Sequence, residues 1–134
     1  MKEKILITGC AGFIGSSLTK KLLKNKNFSI YGLDNINSYY DLNLKKNRLR
    51  ELVKDKNFKF FKIDISNKNK LKKIFNENKF DIVINLAAQA GVRYSIINPK
   101  DYVQTNILGF FNVLELCRKN KIKKFFYASS SSVY

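Results

Sequence analysis

Three glycines at regular spacing join an apolar run to an amphipathic segment near the start of the chain. The run at residues 5–7, Ile-Leu-Ile, is typical of a parallel strand that is buried on both faces. The turn that follows contains Gly9, Gly12 and Gly15. Residues 13–24 then keep a helical repeat, with an apolar face made of Ile14, Leu18 and Leu22. This order predicts a strand, a sharp turn and a helix, which together form the first unit of a parallel α/β sheet.

Strand and helix patterns alternate through the remainder of the sequence. Further strands are predicted at residues 28–33, 58–63, 81–86 and 124–128. Further helices are predicted at residues 41–53, 68–77 and 102–119, with Pro99 close to the start of the last one. Such alternation implies right-handed crossovers between parallel strands. The predicted fold class is α/β, a doubly wound parallel sheet (Rossmann) of about five strands in the order 3-2-1-4-5, truncated before the last strand or strands of the usual six.

Two of these helices have apolar faces that we expect to point toward the sheet. The face predicted for segment 41–53 consists of Leu42, Leu49, Leu52 and Val53. The face predicted for segment 102–119 consists of Val103, Ile107, Phe110, Leu114 and Cys117. Both sets follow the helical period, so each predicts which side of its helix is buried.

The charge of the chain is strongly positive, with 26 Lys and Arg residues against 10 Asp and Glu residues and a formal net charge of +16. A basic chain first suggests nucleic acid as a partner. Its lysines, however, are scattered over loops and polar helix faces, so we interpret them as a solvated surface and expect no nucleic-acid partner. The apolar runs are far shorter than the roughly 20 residues of a membrane span. No signal-peptide pattern precedes the first strand, so we expect no membrane association and a cytoplasmic location.

Cysteine and histidine usage bears on metal and disulfide chemistry. The chain has two cysteines, Cys10 and Cys117, far apart in sequence, and no histidine. Neither a zinc-binding pattern nor a disulfide framework is therefore predicted, and no metal site is expected.

The glycine turn has the spacing GxxGxxG, which suits the binding of a dinucleotide. A phosphate reaches backbone N–H groups at a helix N-terminus only where no side chain stands in the way. We expect Gly9 to allow the tight turn, Gly12 the close approach, and Gly15 the packing of helix on strand. Asp34 ends the second predicted strand, where a carboxylate can accept hydrogen bonds from both ribose hydroxyls of adenosine. Because this carboxylate would repel a 2′-phosphate and no arginine stands beside it, the predicted cofactor is NAD, not NADP.

Two further strand ends contribute candidate cofactor contacts. Asp64 and Ile65 follow the third strand at the same edge of the sheet, where Asp64 could contact adenine or cap the next helix. Leu86, Ala87 and Ala88 follow the fourth strand, and the small alanines would let the diphosphate and ribose of a cofactor lie against the backbone. Tight packing is the alternative reason for small residues there.

Four stretches of the chain resemble the extended short-chain dehydrogenase/reductase family, the NAD-dependent epimerases and dehydratases. They are residues 7–15 (ITGCAGFIG), 34–41 (DNINSYYD), 85–95 (NLAAQAGVRYS) and 127–134 (YASSSSVY). The glycine turn is specific only to the superfamily. The second and third stretches are similar to the narrower group of UDP-glucuronate 4-epimerases. The resemblance covers essentially the whole chain.

The resemblance implies an isomerase that interconverts UDP-glucuronate and UDP-galacturonate at C4, in the nucleotide-sugar metabolism that supplies polysaccharide biosynthesis. In that family bound NAD takes a hydride from C4, a tyrosinate removes the hydroxyl proton, and the hydride returns to the opposite face of a 4-keto sugar. A serine or threonine four residues before the tyrosine of the last motif holds the C4 oxygen. That position here is Ser130, with Ser131 as the alternative. Arg93 is the residue that the resemblance directs toward the substrate.

The resemblance also enlarges the set of residues expected at the cofactor. These additions are Phe13, Ile14, Asn35, Gln89, Asn106 and Ser129. For Asn106, on the long helix, the alternative is a polar residue satisfied by a neighbouring loop. For the serines, the alternative is an ordinary polar turn.

Residues of the last motif separate the possible reactions. Family dehydratases place Asp-Glu directly after their threonine, and related decarboxylases carry Glu at the position of Ser132. This chain has Ser131 and Ser132 there, so dehydration and decarboxylation are disfavoured. The Tyr-x-x-x-Lys motif of the family is absent from residues 1–134, because no tyrosine is followed by lysine at that offset.

The missing motif leads us to predict that residues 1–134 are an incomplete NAD-binding Rossmann domain without its C-terminal substrate domain. The chain alone should not epimerise a sugar, and its parent is expected to be a homodimer. Two alternatives stay open. The chain could be part of another NAD-dependent nucleotide-sugar epimerase or dehydratase, or a non-catalytic NAD-binding module. The fifth strand, 124–128, would leave an uncovered apolar edge.

Overall fold

Five parallel strands form one sheet in the order β3-β2-β1-β4-β5, as seen in a computed structural model that describes residues 1–134. The strands are β1 (Glu3–Thr8), β2 (Phe28–Asp34), β3 (Phe58–Lys62), β4 (Ile82–Asn85) and β5 (Lys124–Tyr127). The register sets Thr8 opposite Leu33 on one side and Asn85 on the other. The predicted doubly wound α/β fold and its strand order are confirmed.

Helices connect the strands and cover both faces of the sheet. They are α1 (Phe13–Leu23), α2 (Leu42–Leu52), α3 (Lys68–Asn78), α4 (Tyr94–Ile97), α5 (Pro99–Tyr102), a π-helix (Val103–Gly109) and α6 (Phe110–Lys119), with a short 3₁₀ turn at Ser131–Val133. Pro99 is the first residue of α5, a helix position that does not need the N–H that proline lacks. None of these helices combines the length and the apolarity that crossing a membrane would require.

The core has two layers because successive side chains of a strand point to opposite faces. Ile5 and Ile7 of β1 pack under α1 and α2, together with Leu23 and Leu52. Leu6 of β1 packs on the other face under α3 and α6, with a cluster that includes Leu71, Phe75, Val83, Val113 and Leu116. The apolar run at residues 5–7 is therefore buried on both faces, as its composition predicts.

The buried face of α1 differs from the predicted one. Ile14 is 65% exposed, and Leu18 and Leu22 are only half-buried. The residues that face the sheet are Gly15, Ser16, Thr19 and Leu23. The hydroxyls of Ser16 and Thr19 donate to helix carbonyls one turn earlier, so they are buried without an unpaired donor. The helix lies so close to the turn that small residues replace large apolar ones at the contact.

The long helix predicted at 102–119 is interrupted by the π-helix, and its predicted face is wrong in part. Val103, Ile107 and Leu114 are exposed, whereas Phe110 and Cys117 point inward. The wider turn changes the register of the helix, and the buried set becomes Gly109, Asn112, Val113, Leu116 and Cys117. Gly109 marks the contact, because a Cβ there would lie 2.5 Å from Cγ1 of Ile65.

Two other expectations concern the edges of the fold. Val53 lies just beyond the end of α2 and is exposed, so it does not belong to the buried face predicted for that segment. β5 pairs only with β4, and its Phe126 and Tyr127 are exposed. Within residues 1–134, β5 is therefore an edge strand with two exposed aromatic side chains.

Candidate functional site

Two adjoining cavities open along the carboxyl edge of the sheet, where β2 lies on one side of β1 and β4 on the other. The narrower cavity has a volume of about 140 Å³ and lies between the ends of β1, β2 and β3. The wider cleft has a volume of about 780 Å³ and lies between the end of β4 and the serine run. Leu86, Ala87, Ala88, Gln89 and Ala90 line both. This strand-order switch is where open α/β sheets bind ligands.

The glycine turn folds as its spacing predicts. Gly9 has a φ of +72°, a conformation that favours glycine, and its N–H donates to the carbonyl of Leu33 at 2.7 Å. A Cβ on Gly9 would also lie 2.8 Å from the backbone nitrogen of Ala87. Gly15 sits beneath the turn, where a Cβ would be 2.8 Å from the carbonyl carbon of Gly9 and closer still to its oxygen. Gly12 is the N-cap residue of α1 and lines the narrower cavity.

Three backbone N–H groups at the start of α1 have no acceptor within the chain. They belong to Phe13, Ile14 and Gly15, and neither a backbone nor a side-chain hydrogen bond uses them. The side chains of Phe13 and Ile14 are 75% and 65% exposed and line neither cavity. Any contact from these two residues to a ligand in the cleft would thus come from the backbone. An anion is the ligand that free N–H groups at a helix N-terminus favour.

Asp34 closes β2 beside this turn and is almost fully buried. Its Oδ2 accepts from the N–H of Ala11 at 3.1 Å, and its Oδ1 accepts from the N–H of Ile36 at 2.9 Å. Each carboxylate oxygen can accept a second hydrogen bond, and Asp34 lines the narrower cavity. The carboxylate is therefore fixed by the backbone and retains capacity for two hydroxyl donors.

Two cations of α2 lie near Asp34, and the sequence interpretation missed both. The Lys45 ammonium donates to the carbonyl oxygen of Asn37 at 3.1 Å and to its Oδ1 at 2.7 Å. It also lies 4.5 Å from the ring centroid of Tyr40 and lines the narrower cavity. The Arg48 guanidinium donates to the carbonyl of Ala11 at 3.3 Å. Neither residue is adjacent to Asp34 in sequence; the fold brings both side chains in from the next helix.

Asp64 ties the ends of β2 and β3 together. Its Oδ2 accepts from Nδ2 of Asn35 at 2.9 Å, and its Oδ1 accepts from the backbone N–H and the hydroxyl of Ser66 at 2.8 and 2.7 Å. Burial alone would raise the pKa of Asp64, but the hydrogen bonds from Asn35 and Ser66 outweigh it and hold the pKa below its usual value. The N-cap of α3 is Asn67, so Asp64 orders the loop before that helix and does not cap it.

The lowered pKa of Asp64 predicts a pH-dependent contribution to stability. Because the folded pKa lies below the unfolded value of about 3.9, the stabilisation is complete above that value and is lost as the pH falls through the folded pKa. We expect Asp64→Asn to lower the free energy of unfolding by about 1 kcal/mol at pH 7. The difference from wild type should shrink below about pH 4. Urea unfolding of wild type and Asp64→Asn between pH 7 and pH 3 measures this difference in free energy of unfolding. A difference that grows as the pH falls would contradict the lowered pKa of Asp64.

The end of β4 is organised by a threonine of β1. The hydroxyl of Thr8 donates to Oδ1 of Asn85 at 2.7 Å and accepts from the N–H groups of Leu86 and Ala87, each at 3.1 Å. Thr8 is fully buried. One hydroxyl thus fixes the first residues of the loop that separates the two cavities.

Asn106 of the π-helix holds the next part of that loop. Its Oδ1 accepts from the N–H of Gln89 at 2.8 Å, and its Nδ2 donates to the carbonyl of Gln89 at 3.0 Å. The Tyr102 hydroxyl donates to the carbonyls of Ala90 and Gly91. The side-chain amide of Asn106 thus holds both backbone groups of Gln89 and orders the loop that lines the two cavities.

The serine run borders the wider cleft. Ser129, Ser130 and Ser131 all line it, and they are exposed. Oγ of Ser130 accepts from the N–H of Ser132 at 3.1 Å, which caps the 3₁₀ turn and leaves the hydroxyl hydrogen available. Arg93 lies before α4, is exposed and lines neither cavity. Its role toward a substrate stays a prediction.

The structure brings most predicted cofactor residues to the two cavities. Those at the narrower cavity are Gly9, Gly12, Asp34, Asn35, Asp64, Ile65, Leu86, Ala87, Ala88 and Gln89. Asn106 and Ser129 are at the wider one. Residues that the sequence interpretation did not name include Asn37, Tyr39, Tyr40 and Lys45. Three of these four belong to the stretch 34–41, whose resemblance to the epimerases was the available signal.

Both cysteines are buried and unpaired. Burial raises the pKa of Cys117 to about 12. Burial, assisted by the charge of Asp34, also raises the pKa of Cys10. Both thiols are therefore protonated at neutral pH and act as small core residues.

Comparison with known proteins identifies the family. The family described as GDP-mannose 4,6 dehydratase matches residues 6–134. The chain belongs to this family. The UDP-glucuronate 4-epimerase of Thermodesulfobacterium geofontis is 50% identical over 129 residues, which are 96% of this chain and 40% of that protein. The chain thus spans about 40% of the length of that family relative.

Two solved structures are similar to this member of the family. The UDP-glucuronic acid 4-epimerase of Bacillus cereus, in complex with UDP-glucuronic acid and NAD, is 39% identical with a TM-score of 0.89, covering 98% of this chain and 41% of that one. The UDP-Glc/GlcNAc 4-epimerase of Campylobacter jejuni is 34% identical with a TM-score of 0.85, covering 97% of this chain and 38% of that one. Epimerases with different named sugars therefore share this fold at similar identity.

Proposed function

We propose that residues 1–134 form the NAD-binding part of a nucleotide-sugar 4-epimerase whose substrate is UDP-glucuronate. The observation that carries the proposal is that Gly12 and the Asp34 carboxylate line one cavity at the strand-order switch, with the free N–H groups of α1 directly after Gly12. Similarity to UDP-glucuronate 4-epimerases supports the choice of sugar. A substrate domain elsewhere in a longer protein, a homodimeric assembly and a cytoplasmic location stay predictions.

The residues present fit a dinucleotide. The amides of Phe13, Ile14 and Gly15 would hold the diphosphate, and Gly12 leaves the approach to them without a side chain. Asp34 would accept from the adenosine ribose, since each of its oxygens has capacity for one further donor. When bound, NAD would accept the hydride from C4 of the sugar and later return that hydride to C4. The loop 86–90 lines both cavities and would separate the adenosine end from the reacting end.

On the substrate side, Ser130 is the proposed catalytic hydroxyl. Its hydrogen is free to donate to the C4 oxygen, because its oxygen already accepts from Ser132. Ser131 lines the same cleft and is the alternative. The base that removes the hydroxyl proton would be a tyrosinate activated by a lysine, and no tyrosine here has a lysine four residues later. This step is therefore proposed to need residues outside 1–134.

Epimerisation is favoured over dehydration by the composition of the wider cleft. Elimination of water requires a general acid and a general base. The residues that line this cleft include no Asp or Glu, and Ser131 and Ser132 occupy the positions where the family dehydratases carry carboxylates. Epimerisation at C4 needs only a hydroxyl, a tyrosinate and the cofactor.

Calorimetric titration of the purified chain with NAD and NADP tests the cofactor proposal. We expect NAD to bind at least about tenfold more tightly than NADP, because Asp34 accepts from a ribose hydroxyl and repels a phosphate. Circular dichroism of the same sample shows that the protein is folded. Tighter binding of NADP, or no dinucleotide binding by folded protein, would overturn the proposal.

An activity assay tests the proposal that the catalytic base lies outside residues 1–134. The chain incubated with NAD and UDP-glucuronate should give no UDP-galacturonate, because it lacks the tyrosine and lysine pair. Chromatography of the nucleotide sugars measures the product. Turnover by the chain alone would show that residues 1–134 contain the base.

A further inference from the structure

The cations near Asp34 have unused donors. The Lys45 ammonium has three hydrogens, and its hydrogen bonds to Asn37 use two of them. The Arg48 guanidinium has five N–H groups, and its bonds to Ala11 and to the Tyr40 hydroxyl involve one nitrogen only. Both side chains can therefore donate to a further acceptor without losing the contacts that hold them.

Lys45 is an unusual residue for the position it occupies. It is only 5% exposed, on the buried side of α2, and it lines the same cavity as Asp34. Burial lowers the pKa of Lys45, whereas the negative charge of Asp34 opposes this change. A buried cation persists where an opposite charge is close. Asp34 and Lys45 thus compensate each other in part across the cavity.

Arg48 is connected to Asp34 through a single peptide group. The N–H of Ala11 donates to the Asp34 carboxylate, and the carbonyl of Ala11 accepts from Arg48. The Tyr40 side chain lies between the two cations: its ring centroid is 4.5 Å from the Lys45 ammonium, and its hydroxyl accepts from Arg48 at 3.2 Å. The carboxylate therefore shares its cavity with the Lys45 ammonium, and the Arg48 guanidinium of the same helix lies behind the Ala11 peptide group.

From this arrangement we infer that Lys45 and Arg48 are a phosphate-binding pair, and that Asp34 prevents them from accepting the 2′-phosphate of NADP. The inference rests on the proposed binding of NAD. A 2′-phosphate would bring a charge of up to −2 toward the ribose-binding carboxylate. With Asp34 present, repulsion opposes the attraction of the two cations. Without Asp34, the remaining carboxylate of the cavity is Asp64, whose oxygens already accept from Asn35 and Ser66, and both cations have donors for phosphate oxygens.

Replacing Asp34 tests the inference, and the helix offers a matched control. Asp34→Ser keeps one acceptor for the backbone N–H groups and leaves room for a phosphate. Lys45→Met and Arg48→Met are each added to it. The control is Lys46→Met in the same background, because Lys46 is the exposed neighbour of Lys45 and its replacement removes the same charge. Dissociation constants for NAD and NADP are measured by calorimetry on the 134-residue chain.

The expected results differ among these variants. Asp34→Ser should strengthen the binding of NADP by at least about tenfold and weaken the binding of NAD by at least about tenfold. The preference for NAD over NADP would then be reversed. Adding Lys45→Met or Arg48→Met to Asp34→Ser should remove most of the gained affinity for NADP. Adding Lys46→Met should change the NADP constant by less than about twofold. In the wild-type background, Lys45→Met should weaken NADP more than NAD, and this comparison does not depend on how well the Asp34 variant folds.

Several results would overturn the inference. One is a folded Asp34→Ser protein that binds NAD but has gained no affinity for NADP. Equal losses from Lys45→Met and Lys46→Met would show an effect of net charge only. A wild-type Lys45→Met variant with an unchanged ratio of the two constants would exclude Lys45. Wild-type protein that is folded yet binds neither dinucleotide would overturn the proposed function itself, whereas the other results leave NAD binding in place.

Discussion

Gly15→Ala is expected to lower the free energy of unfolding by about 3 kcal/mol and to abolish measurable NAD binding with it. A methyl group at this position would lie 2.8 Å from the carbonyl carbon of Gly9 and 3.0 Å from Cα of Cys10. These are backbone atoms, and the turn is held by the hydrogen bond from Gly9 to Leu33. The clash can therefore be relieved only if α1 moves away from the sheet. Urea unfolding followed by circular dichroism measures the loss of stability.

Gly12→Ala is the matched control, because it adds the same methyl group to the same turn. There a Cβ would be 3.2 Å from the oxygen of Gly9 and 4.0 Å from the Tyr40 hydroxyl. The backbone of Gly12, with φ −69° and ψ 171°, is open to any residue. We expect the free energy of unfolding to change by less than about 1 kcal/mol, while NAD affinity falls at least about tenfold. Wild-type stability in Gly15→Ala would contradict the packing account.

Thr8→Val is expected to lower the free energy of unfolding by about 2–3 kcal/mol. Valine has nearly the same shape as threonine but cannot form the hydrogen bonds to Asn85, Leu86 and Ala87. The N–H of Leu86 also donates to the Thr8 carbonyl at 3.2 Å, so it would keep an acceptor in the valine variant. The N–H of Ala87 would lose its acceptor. Denaturant unfolding gives the stability, and hydrogen exchange of the Ala87 amide shows where the structure has loosened.

Thr8→Ser separates the hydroxyl from the methyl group. Serine retains the three hydrogen bonds and loses only one buried methyl, so it should cost about 1 kcal/mol. The Ala87 amide should stay protected in the serine variant and exchange faster in the valine variant. Equal destabilisation by the two variants, with equal protection, would show that the hydroxyl does not order the loop.

The sheet and its switch point could be predicted because the sequence signals there are local. A short apolar run such as Ile5–Ile7 directly before a glycine turn favours a strand covered on both faces, and the glycines permit the tight turn that follows. Asp34 could be placed because the end of a strand determines the edge of the sheet on which it lies. For these residues, neighbours in sequence are also neighbours in space.

The remainder depends on contacts between distant segments. The small residues on the inner face of α1 follow from the distance between helix and turn, which the hydrophobic pattern does not encode. Lys45 appears in the sequence as one more surface lysine, and only the position of α2 makes it a buried cation beside Asp34. The interruption at Val103–Gly109 is similarly invisible, because its amino acids are compatible with a regular helix.

The helix that contains this π-helical segment connects two separate loops. On one side the Asn106 side chain hydrogen-bonds to the backbone N–H and carbonyl of Gln89. On the other side Asn112 donates to the carbonyls of Ile65 and Ser66. Each residue of a regular helix advances the azimuth by about 100°. Loss of a single residue between the two asparagines would turn one of them away from its loop. The length of this segment is consequently as constrained as its composition, although most of its outer surface faces solvent.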